Sequence, residues 1–347
     1  MKIESVAISI PSRRITNEDI YNIILEENKK ESRIKLNKYI RLVKILFKKS
    51  GADTRYICDV DNKEKAFEHI IIAMHKALKS ANMTSSDIDM LIYCGVGKGL
   101  IEPANAYFYA HEMGMKNTNC FDVVDACMSW IRALEMAYSF QKARKYRNIM
   151  VVNGEFNFHH HGYPDVFKIQ NLRQIEYTFP SYTIGEAASA TILSPSEQKW
   201  SFSFLSVPEL CDLCTIPLKG YKSYLNGSKR IGLHGLNNFV SFGGMLFKNA
   251  NEYLLTLARE VIPDFDKPKL YFPHAASSEA YNLASKNIVS PEKMYTRVFP
   301  RYGNLVSASI PAALDLALKE GLLNRGDHVV FLPASAGMVF SVVQLNY

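Results

Sequence analysis

The apolar positions of this chain repeat in two halves about 180 residues apart. Eight positions between 66 and 81 are apolar at helical spacing, and the eight positions 180 residues later are apolar too. Three further pairs keep nearly the same offset: MLIYCG (90–95) with KLYFPH (269–274), the helical pattern from 127 with that at 310–321, and NIMVVN (148–153) with DHVVFL (327–332). Because four elements recur in the same order at nearly the same offset, the sequence predicts an internal duplication.

The repeated elements predict an α/β protein. Strands that are apolar throughout are typical of sheets covered on both faces, and the segments between them have the periodicity of amphipathic helices. We therefore expect two pseudo-symmetric βαβαβ halves of parallel character, packed as a five-layered α-β-α-β-α body. A Ser- and Pro-containing linker near 190–198 divides the chain into an N-terminal half, 1–195, and a C-terminal half, 196–347.

Two segments interrupt the repeat. Residues 22–56 are helical in pattern and rich in lysine, and residues 155–183 are polar and aromatic. We expect both to cap the sheet layers and to shape a substrate channel.

Composition and charge narrow the class of protein. The 347 residues are 48% hydrophobic and 22% charged, with no apolar run of membrane-spanning length and no signal-peptide pattern, which predicts a cytoplasmic protein without a membrane span. The net charge is +7, with many lysines and arginines between residues 29 and 49. Because no aromatic residues interleave a basic motif, we expect no nucleic-acid partner; a basic enzyme suits acidic carriers and phosphate-bearing thiol cofactors.

Candidate chemistry collects after the repeated strands, where open α/β sheets place their sites. Cys127 follows FDVVDA, His274 follows KLYFP, Asn304 precedes the helix at 310–321, and Ala336 lies in the small-residue run PASAGM. A thiol at a helix N-terminus is expected to have a lowered pKa, and a neutral imidazole with an amide can hold an oxyanion. A lone cysteine is more often a small buried residue, but three such groups at equivalent points of a repeat favour catalysis.

The other cysteines and histidines do not predict a metal site. Six cysteines at irregular spacings predict no disulfides, and Cys211 with Cys214 forms one CxxC without the second pair that structural zinc requires. The run His159–His161 lacks an adjacent carboxylate, so an exposed loop is favoured over a metal site.

Three motifs resemble those of a known family, the thiolase-fold condensing enzymes, and are close to ketoacyl synthase III. FDVVDACMSW resembles the nucleophile motif, YFPHAAS the histidine motif and RYGNLVSASIPAAL the Gly-Asn motif, in the family's order. The resemblance implies that Cys127 is acylated, that His274 and Asn304 activate a second thioester, and that the backbone N–H groups of Cys127 and Ala336 form an oxyanion hole. It also implies a homodimer.

The resemblance further implies that substrates arrive as thioesters of coenzyme A or of a phosphopantetheine carrier protein, with no permanently bound cofactor. Lys248 is a candidate contact for the phosphopantetheine path, or is merely solvated. Glu279 stands where the family carries an arginine that docks acyl carrier protein, which leaves open the choice between coenzyme A and a carrier.

Glu102, in GLIEPANAY, occupies the position at which the family's dimer-crossing loop inserts a phenylalanine into the partner's tunnel. The Glu-Pro pair resembles the subgroup that joins two acyl chains: olefin-forming head-to-head condensing enzymes, pyrone-forming ketosynthases and dialkylresorcinol- or stilbene-forming ketosynthases. A substrate without a carboxylate to lose needs a base for its α-proton, and a carboxylate in an apolar tunnel can serve. The alternative is an exposed glutamate before a loop proline.

The sequence thus predicts a Claisen condensation of two acyl thioesters, or of an acyl and a β-ketoacyl thioester, through acyl-Cys127. We expect it to proceed without decarboxylation and, with a β-keto substrate, to permit ring closure in secondary metabolism. Two alternatives remain: a decarboxylative 3-oxoacyl synthase III that initiates fatty-acid synthesis, and a catalytically silent partner subunit.

Overall fold

The structure is a computed structural model that describes residues 1–274, 277–278 and 289–347. The strands are β1 Lys2–Ser9, β2 Arg13–Thr16, β3 Thr54–Ile57, β4 Met90–Cys94, β5 Asn119–Val123, β6 Ile149–Glu155, β7 Ala187–Ser194, β8 Ser201–Ser206, β9 Cys214–Thr215, β10 Val240–Ser241, β11 Leu270–Pro273, β12 His328–Leu332, β13 Ala334–Ser335 and β14 Val339–Asn346. The helices are α1 Asn17–Glu27, α2 Arg33–Ser50, α3 Ala66–Ala81, α4 Ala106–Glu112, α5 Ser129–Lys142, α6 Phe158–His161, α7 Ile175–Tyr182, α8 Gly243–Val261, α9 Val298–Tyr302 and α10 Ser309–Lys319.

Two sheets of equivalent topology form the body. The first has the order β1-β7-β6-β4-β5, and the second contains β8-β14-β12-β11 with the short β13 beside the start of β14. In the first, β4 runs parallel to β5 and β6, whereas β7 is antiparallel to β6 and β1. In the second, β11 and β12 are parallel and β14 is antiparallel to β12 and β8.

The predicted parallel character therefore holds for the strands that carry the site and is wrong for the outer ones. Every residue of β6 and every residue of β7 is buried, although these two strands run in opposite directions. Helices cover both faces of the sheet whichever way a strand runs, so continuous apolar patterning could not reveal strand direction.

The five predicted layers are present. Helix α3 packs on the outer face of the first sheet and α8 on the outer face of the second, and α5 and α10 lie between the sheets. Trp130 of α5 contacts both sheets. Its ring lies 5.4 Å from the Phe331 ring of β12 in the second sheet, and its Nε1 donates to Thr191 Oγ1 of β7 in the first sheet at 3.2 Å. The division into 1–195 and 196–347 remains a prediction; residues 195–200 connect β7 to β8.

The duplication extends to backbone detail at the start of each inner helix. A 3-10 turn at Ala126–Met128 precedes α5, and one at Val306–Ala308, 180 residues later, precedes α10. Ala126 has φ 45° and Val306 has φ 51°, in the left-handed region that non-glycine residues avoid. Such backbone strain persists where surrounding structure enforces it, often at functional sites.

The two interrupting segments pack on each other above the inner layer, as a cap. Helix α2 begins after the N-cap Ser32 and ends at Ser50, where Gly51, with φ 74°, is the C-cap. The Tyr39 hydroxyl of α2 lies 2.9 Å from the Tyr182 hydroxyl of α7, joining the two segments. No helix in the described part of the chain combines the length and apolar character needed to cross a bilayer.

Candidate active site

One cavity of about 910 Å³ contains the residues that the sequence singles out for catalysis. Cys127, His274, Asn304 and Ala336 all line it, with side chains from α2, α7 and α8. Most of the lining is apolar, and cavities of roughly 300–1,000 Å³ with a few polar groups are typical of binding sites for small organic molecules. The predicted site residues from both halves thus meet at one place.

Ser335 holds the nucleophile turn against the second half. Its hydroxyl accepts a hydrogen bond from the Met128 N–H at 3.2 Å and donates to the Asp125 carbonyl at 3.3 Å, so it spans the turn that contains Cys127. Ala336 follows Ser335 directly, which brings the two predicted oxyanion donors to neighbouring segments. The sequence pointed to the small residues and to the Ala336 N–H in this segment, but not to the role of the neighbouring Ser335 hydroxyl.

The predicted lowering of the Cys127 pKa is wrong. Burial raises the pKa of the Cys127 thiol well above its usual value, and the nearby Cys214 and Glu155 raise it further. Helix α5 itself begins at Ser129, with Cys127 in the preceding 3-10 turn, so the helix dipole acts from beyond the helix end. Desolvation of a thiolate outweighs that contribution, and the thiol needs a proton acceptor when it reacts.

His274 lies at the carboxyl end of β11, where its backbone N–H donates to the Leu332 carbonyl at 3.2 Å. Burial lowers the pKa of His274 to about 4, so the imidazole is neutral near pH 7. Its Nδ1 is buried and has no hydrogen-bond partner among the described residues. A neutral imidazole in the cavity can accept a proton or, in its N–H form, donate to an oxyanion.

Asn304 is positioned by the glycine before it. Gly303 has φ 73°, and a Cβ there would lie 2.3 Å from the Thr183 carbonyl oxygen, so this approach requires glycine. The Asn304 N–H donates to that same carbonyl at 2.8 Å, and its side-chain Oδ1 accepts from the Val306 N–H at 2.9 Å. The amide NH₂ is the part of the side chain left to serve a ligand in the cavity.

Glu155 is fully buried beside the site and holds its loops together. The carboxylate accepts from the N–H groups of Val96 and Gly97, both at 3.2 Å, from Asn157 Nδ2 at 2.8 Å and from the Ser307 hydroxyl. Burial raises its pKa even though these hydrogen bonds oppose the shift. This arrangement gives Glu155 a structural hydrogen-bonding role.

Glu102 lies outside the cavity of its own chain. It is exposed on the loop between β4 and α4, next to Ile101, which is 82% exposed. Asn105 fixes the base of that loop, because its N–H and Nδ2 both donate to Asp122 Oδ2, at 2.8 and 2.9 Å. An anchored loop with an exposed tip suits a residue that acts in another subunit, but the role of Glu102 stays a prediction.

Lys248 is exposed on α8 and is absent from the cavity lining, although its neighbour Phe247 lines the cavity. Its predicted contact with a phosphopantetheine arm stays a prediction. Glu279 lies outside the described residues.

The two cysteines of the CxxC occupy different environments. Cys211 is exposed, whereas Cys214 lines the cavity on β9 and its pKa is raised by burial to about 11. His161, from the histidine run, also lines the cavity, with Nδ1 hydrogen-bonded to the Asn237 carbonyl at 2.8 Å. Nothing in the sequence indicated that Cys214 or His161 would share the cavity with Cys127.

One further group brings together residue types that bind metals. Ligand atoms of Cys58, Glu64 and His69 lie within 4.8 Å of one another. Both ring nitrogens of His69 already have partners, Ser9 Oγ and Glu64 Oε1, each at 2.8 Å. In this structure the group is a hydrogen-bonded cluster whose three residues do not line the cavity.

Comparison with known sequences shows what the C-terminal part of the chain is similar to. Residues 265–347 match the family model described as 3-oxoacyl-[acyl-carrier-protein (ACP)] synthase III C terminal, a region that includes His274 and Asn304. A beta-ketoacyl-[acyl-carrier-protein] synthase III of Aquifex aeolicus is 29% identical over 282 residues, covering 79% of this chain and 82% of the relative. The one from Fusobacterium nucleatum is 27% identical over 276 residues, covering 76% and 79%.

Comparison with solved structures shows the fold. The 3-oxoacyl-[acyl-carrier-protein] synthase III of Aquifex aeolicus superposes with a TM-score of 0.79 at 23% identity, covering 100% of this chain and 99% of the other. Xanthomonas campestris OleA superposes with a TM-score of 0.82 at 18% identity, covering 99% and 97%.

The chain has the thiolase fold and is an acyltransferase-type condensing enzyme, and its residues 265–347 match the C-terminal region of ketoacyl synthase III. The condensing enzyme thus has the fold and the acyltransferase class that the sequence predicts. The comparisons support a ketosynthase that performs Claisen condensation.

Proposed function

We propose that this condensing enzyme joins two acyl thioesters through an acyl-Cys127 intermediate, without decarboxylation, and that Glu102 of the partner subunit is the base. The observation that carries the proposal is the meeting of Cys127, His274 and Asn304 in one large apolar cavity. An apolar cavity of that size suits long acyl chains, since burying each methylene contributes about 0.8 kcal/mol.

The first half-reaction acylates Cys127. His274, neutral near pH 7, accepts the thiol proton as the sulfur attacks the thioester carbonyl, and returns it to the departing thiolate of the carrier. The backbone N–H groups of Cys127 and Ala336 stabilise the developing oxyanion. The raised pKa of Cys127 makes this proton transfer necessary, because little thiolate exists beforehand.

The second half-reaction forms the carbon–carbon bond. A second acyl or β-ketoacyl thioester loses its α-proton to Glu102 of the partner subunit, and His274 with Asn304 donates hydrogen bonds to the enolate oxygen. The enolate carbon attacks the acyl-Cys127 carbonyl and the cysteine thiolate leaves, giving a β-keto thioester. With a β-ketoacyl second substrate, a later aldol or lactone closure yields a ring.

The charges in the cavity support a base from outside the chain. Among the described lining residues the one carboxylate is Glu176, which is exposed on α7. Glu155 is sequestered by its hydrogen-bond donors and does not line the cavity. The described cavity lining thus contains no buried carboxylate, which supports Glu102, exposed on an anchored loop, as the base.

OleA supplies a structural parallel. One OleA structure has its cysteine replaced by serine and holds lauric acid and lauroyl-CoA, and others have a glutamate or a histidine replaced. We assign the corresponding work here to Cys127, Glu102 and His274 as part of the proposal. Coenzyme A thioesters are accordingly one proposed kind of donor, beside thioesters of a carrier protein, with Lys248 near their entry path.

The experiment is intact-protein mass spectrometry with a panel of acyl thioesters, followed by product analysis with no malonyl donor present. Wild type should gain the acyl mass and form a β-keto product. Cys127→Ala should gain no mass, and Glu102→Gln should be acylated but form product at least about a hundredfold more slowly, since a general base contributes about 10²–10⁴-fold.

The second candidate function is a decarboxylative 3-oxoacyl synthase III, which the names of the curated relatives favour. Product that forms only when malonyl thioester is supplied, and equally well in Glu102→Gln, would establish that function instead. A wild-type protein that no thioester acylates would point to the silent partner subunit.

A further inference from the structure

Helix α2 carries an unusual concentration of positive charge. Its 18 residues include seven lysines and arginines and no acidic residue. Lys38, Arg41 and Lys48 are exposed, and no carboxylate within the described part of the chain forms an ion pair with any of the three. Like charges three and four residues apart destabilise a helix, so folding alone does not account for this pattern.

Apolar side chains are interspersed among these charges. Ile34 is 72% exposed and Ile45 is 54% exposed, and both lie on one stripe of the helix with Lys38, Arg41 and Lys48, which we call the α2 stripe. The opposite face of α2, with Leu36, Tyr39, Val43 and Phe47, is buried in the protein. The exposed isoleucines are therefore additional to the apolar residues that attach the helix.

The α2 stripe lies at the opening of the catalytic cavity. Leu42, Ile45 and Leu46 all line that cavity, and Leu42 and Ile45 are also exposed at the surface. A molecule bound along α2 would consequently be in position to deliver a tethered acyl group toward Cys127. The sequence predicts a cap that shapes a channel at this segment, and the structure adds its exposed cationic face.

The dimensions and the pattern of the stripe indicate the kind of partner. From Ile34 to Lys48 the helix extends about 21 Å, longer than a single nucleotide can cover. A membrane-bound helix buries a continuous apolar face in lipid, whereas the continuous apolar face of α2 is occupied by the protein itself. Alternating cations and isolated isoleucines instead match a protein surface with acidic side chains around small apolar spots.

We propose that the α2 stripe is the docking surface for an acidic acyl carrier protein, which delivers its thioester into the cavity beside α2. The proposal rests on the proposed function, because it assigns the donor of the acyl group. It places docking on the inserted helix, so a chain without that helix would lack this surface.

The test compares two donors of one acyl group: an acidic bacterial acyl carrier protein charged with an octanoyl group, and octanoyl-CoA. The stripe variant is Lys38→Glu/Arg41→Glu/Lys48→Glu. The control variant, Lys79→Glu/Lys199→Glu/Lys267→Glu, changes the charge equally at three exposed lysines elsewhere. Acylation rates are read by mass spectrometry, and binding of the unacylated phosphopantetheine-bearing carrier by fluorescence anisotropy.

The ratio of the carrier rate to the coenzyme A rate should fall at least about tenfold in the stripe variant and stay unchanged in the control, with carrier affinity falling in parallel. An unchanged ratio, or equal loss in the control, would overturn the proposal. Tighter binding of wild type to phosphatidylglycerol vesicles than to the carrier, lost in the stripe variant, would assign the surface to lipid. If neither donor acylates wild type, the proposed function fails, while carrier binding still decides the docking surface.

Discussion

The Cys127 thiol retains its proton because the cavity in which it lies also shields it from water. The cavity desolvates the thiolate, and the α5 helix begins too late to compensate. His274 is affected by the same burial in the opposite sense, since the charged imidazolium is disfavoured. The pair is therefore a neutral thiol and a neutral imidazole before substrate arrives.

The raised pKa of Cys127 predicts how its reactivity depends on pH. Because thiolate is the nucleophile, alkylation by iodoacetamide should rise about tenfold per pH unit from about pH 6 to pH 9 without levelling off. Mass spectrometry of wild type and Cys127→Ala separates this thiol from the exposed Cys211. A plateau reached below about pH 8 would show a low-pKa thiolate and contradict this account.

Glu155 acts through the residues that it positions. Its carboxylate connects the backbone at Val96 and Gly97, where the Glu102 loop begins, to Ser307. Ser307 directly follows Val306, whose N–H donates to Asn304 Oδ1. The Ser307 hydroxyl also accepts from Asn153 Nδ2 at 2.9 Å, which extends the network into β6.

Glu155→Gln should weaken this network. The NH₂ group of the new amide would face N–H donors whose hydrogen bonds the carboxylate accepts in the wild type. We expect a loss of about 1–3 kcal/mol in the free energy of unfolding by urea, the usual cost of buried unpaired donors. Condensation should slow more than acylation of Cys127, since the affected loops carry Glu102 and Asn304. Wild-type stability and wild-type rates in Glu155→Gln would contradict this role.

At the scale of elements, the duplication was predictable and the direction of the outer strands was not. The pairing of β4 with β11 and of β6 with β12 follows from apolar runs 179–180 residues apart. The antiparallel direction of β7 and β14 has no counterpart in the pattern, because both are buried on both faces. Cys127, His274 and Asn304 were found because each lies beside the start or the end of a repeated element.

The parts of the site that depend on packing between distant segments could not be predicted. The hydrogen bonds of Ser335 to the nucleophile turn join residues more than 200 positions apart, and a lone serine among small residues does not signal them. The thiol pKa was predicted with the wrong sign because a helix start can be recognised in sequence, whereas the depth of burial depends on the cap formed by α2 and α7.

Helix α8 should limit the length of the acyl chain. Ala250 lines the cavity, and Ala250→Phe would fill part of the cavity volume. Accommodating a long acyl chain would then cost about 1–3 kcal/mol, which slows its reaction about 5- to 150-fold. Acylation by dodecanoyl-CoA should slow by that factor and acylation by butanoyl-CoA much less. The matched control is Glu252→Gln on the exposed side of α8; equal slowing of both donors would contradict a chain-length role.

At the scale of the whole molecule, the chain contributes two kinds of residue to catalysis in the proposed dimer. Cys127, His274 and Asn304 converge within one chain, while Glu102 is exposed and lies outside that chain's cavity. A symmetric dimer would exchange the two loops, so that each cavity receives a carboxylate from its partner. One chain alone would then be acylated but lack the base.

Mixing Cys127→Ala protein with Glu102→Gln protein tests that central claim most directly. Each homodimer should be inactive without a malonyl donor, but the mixed dimer has one cavity with an intact Cys127 and an intact Glu102 from the partner. After subunits re-equilibrate at equal amounts, condensation should recover to about a quarter of the wild-type rate. If the mixture stays as inactive as the separate variants while mixed dimers are shown to form, Glu102 does not act across the interface and the account is contradicted.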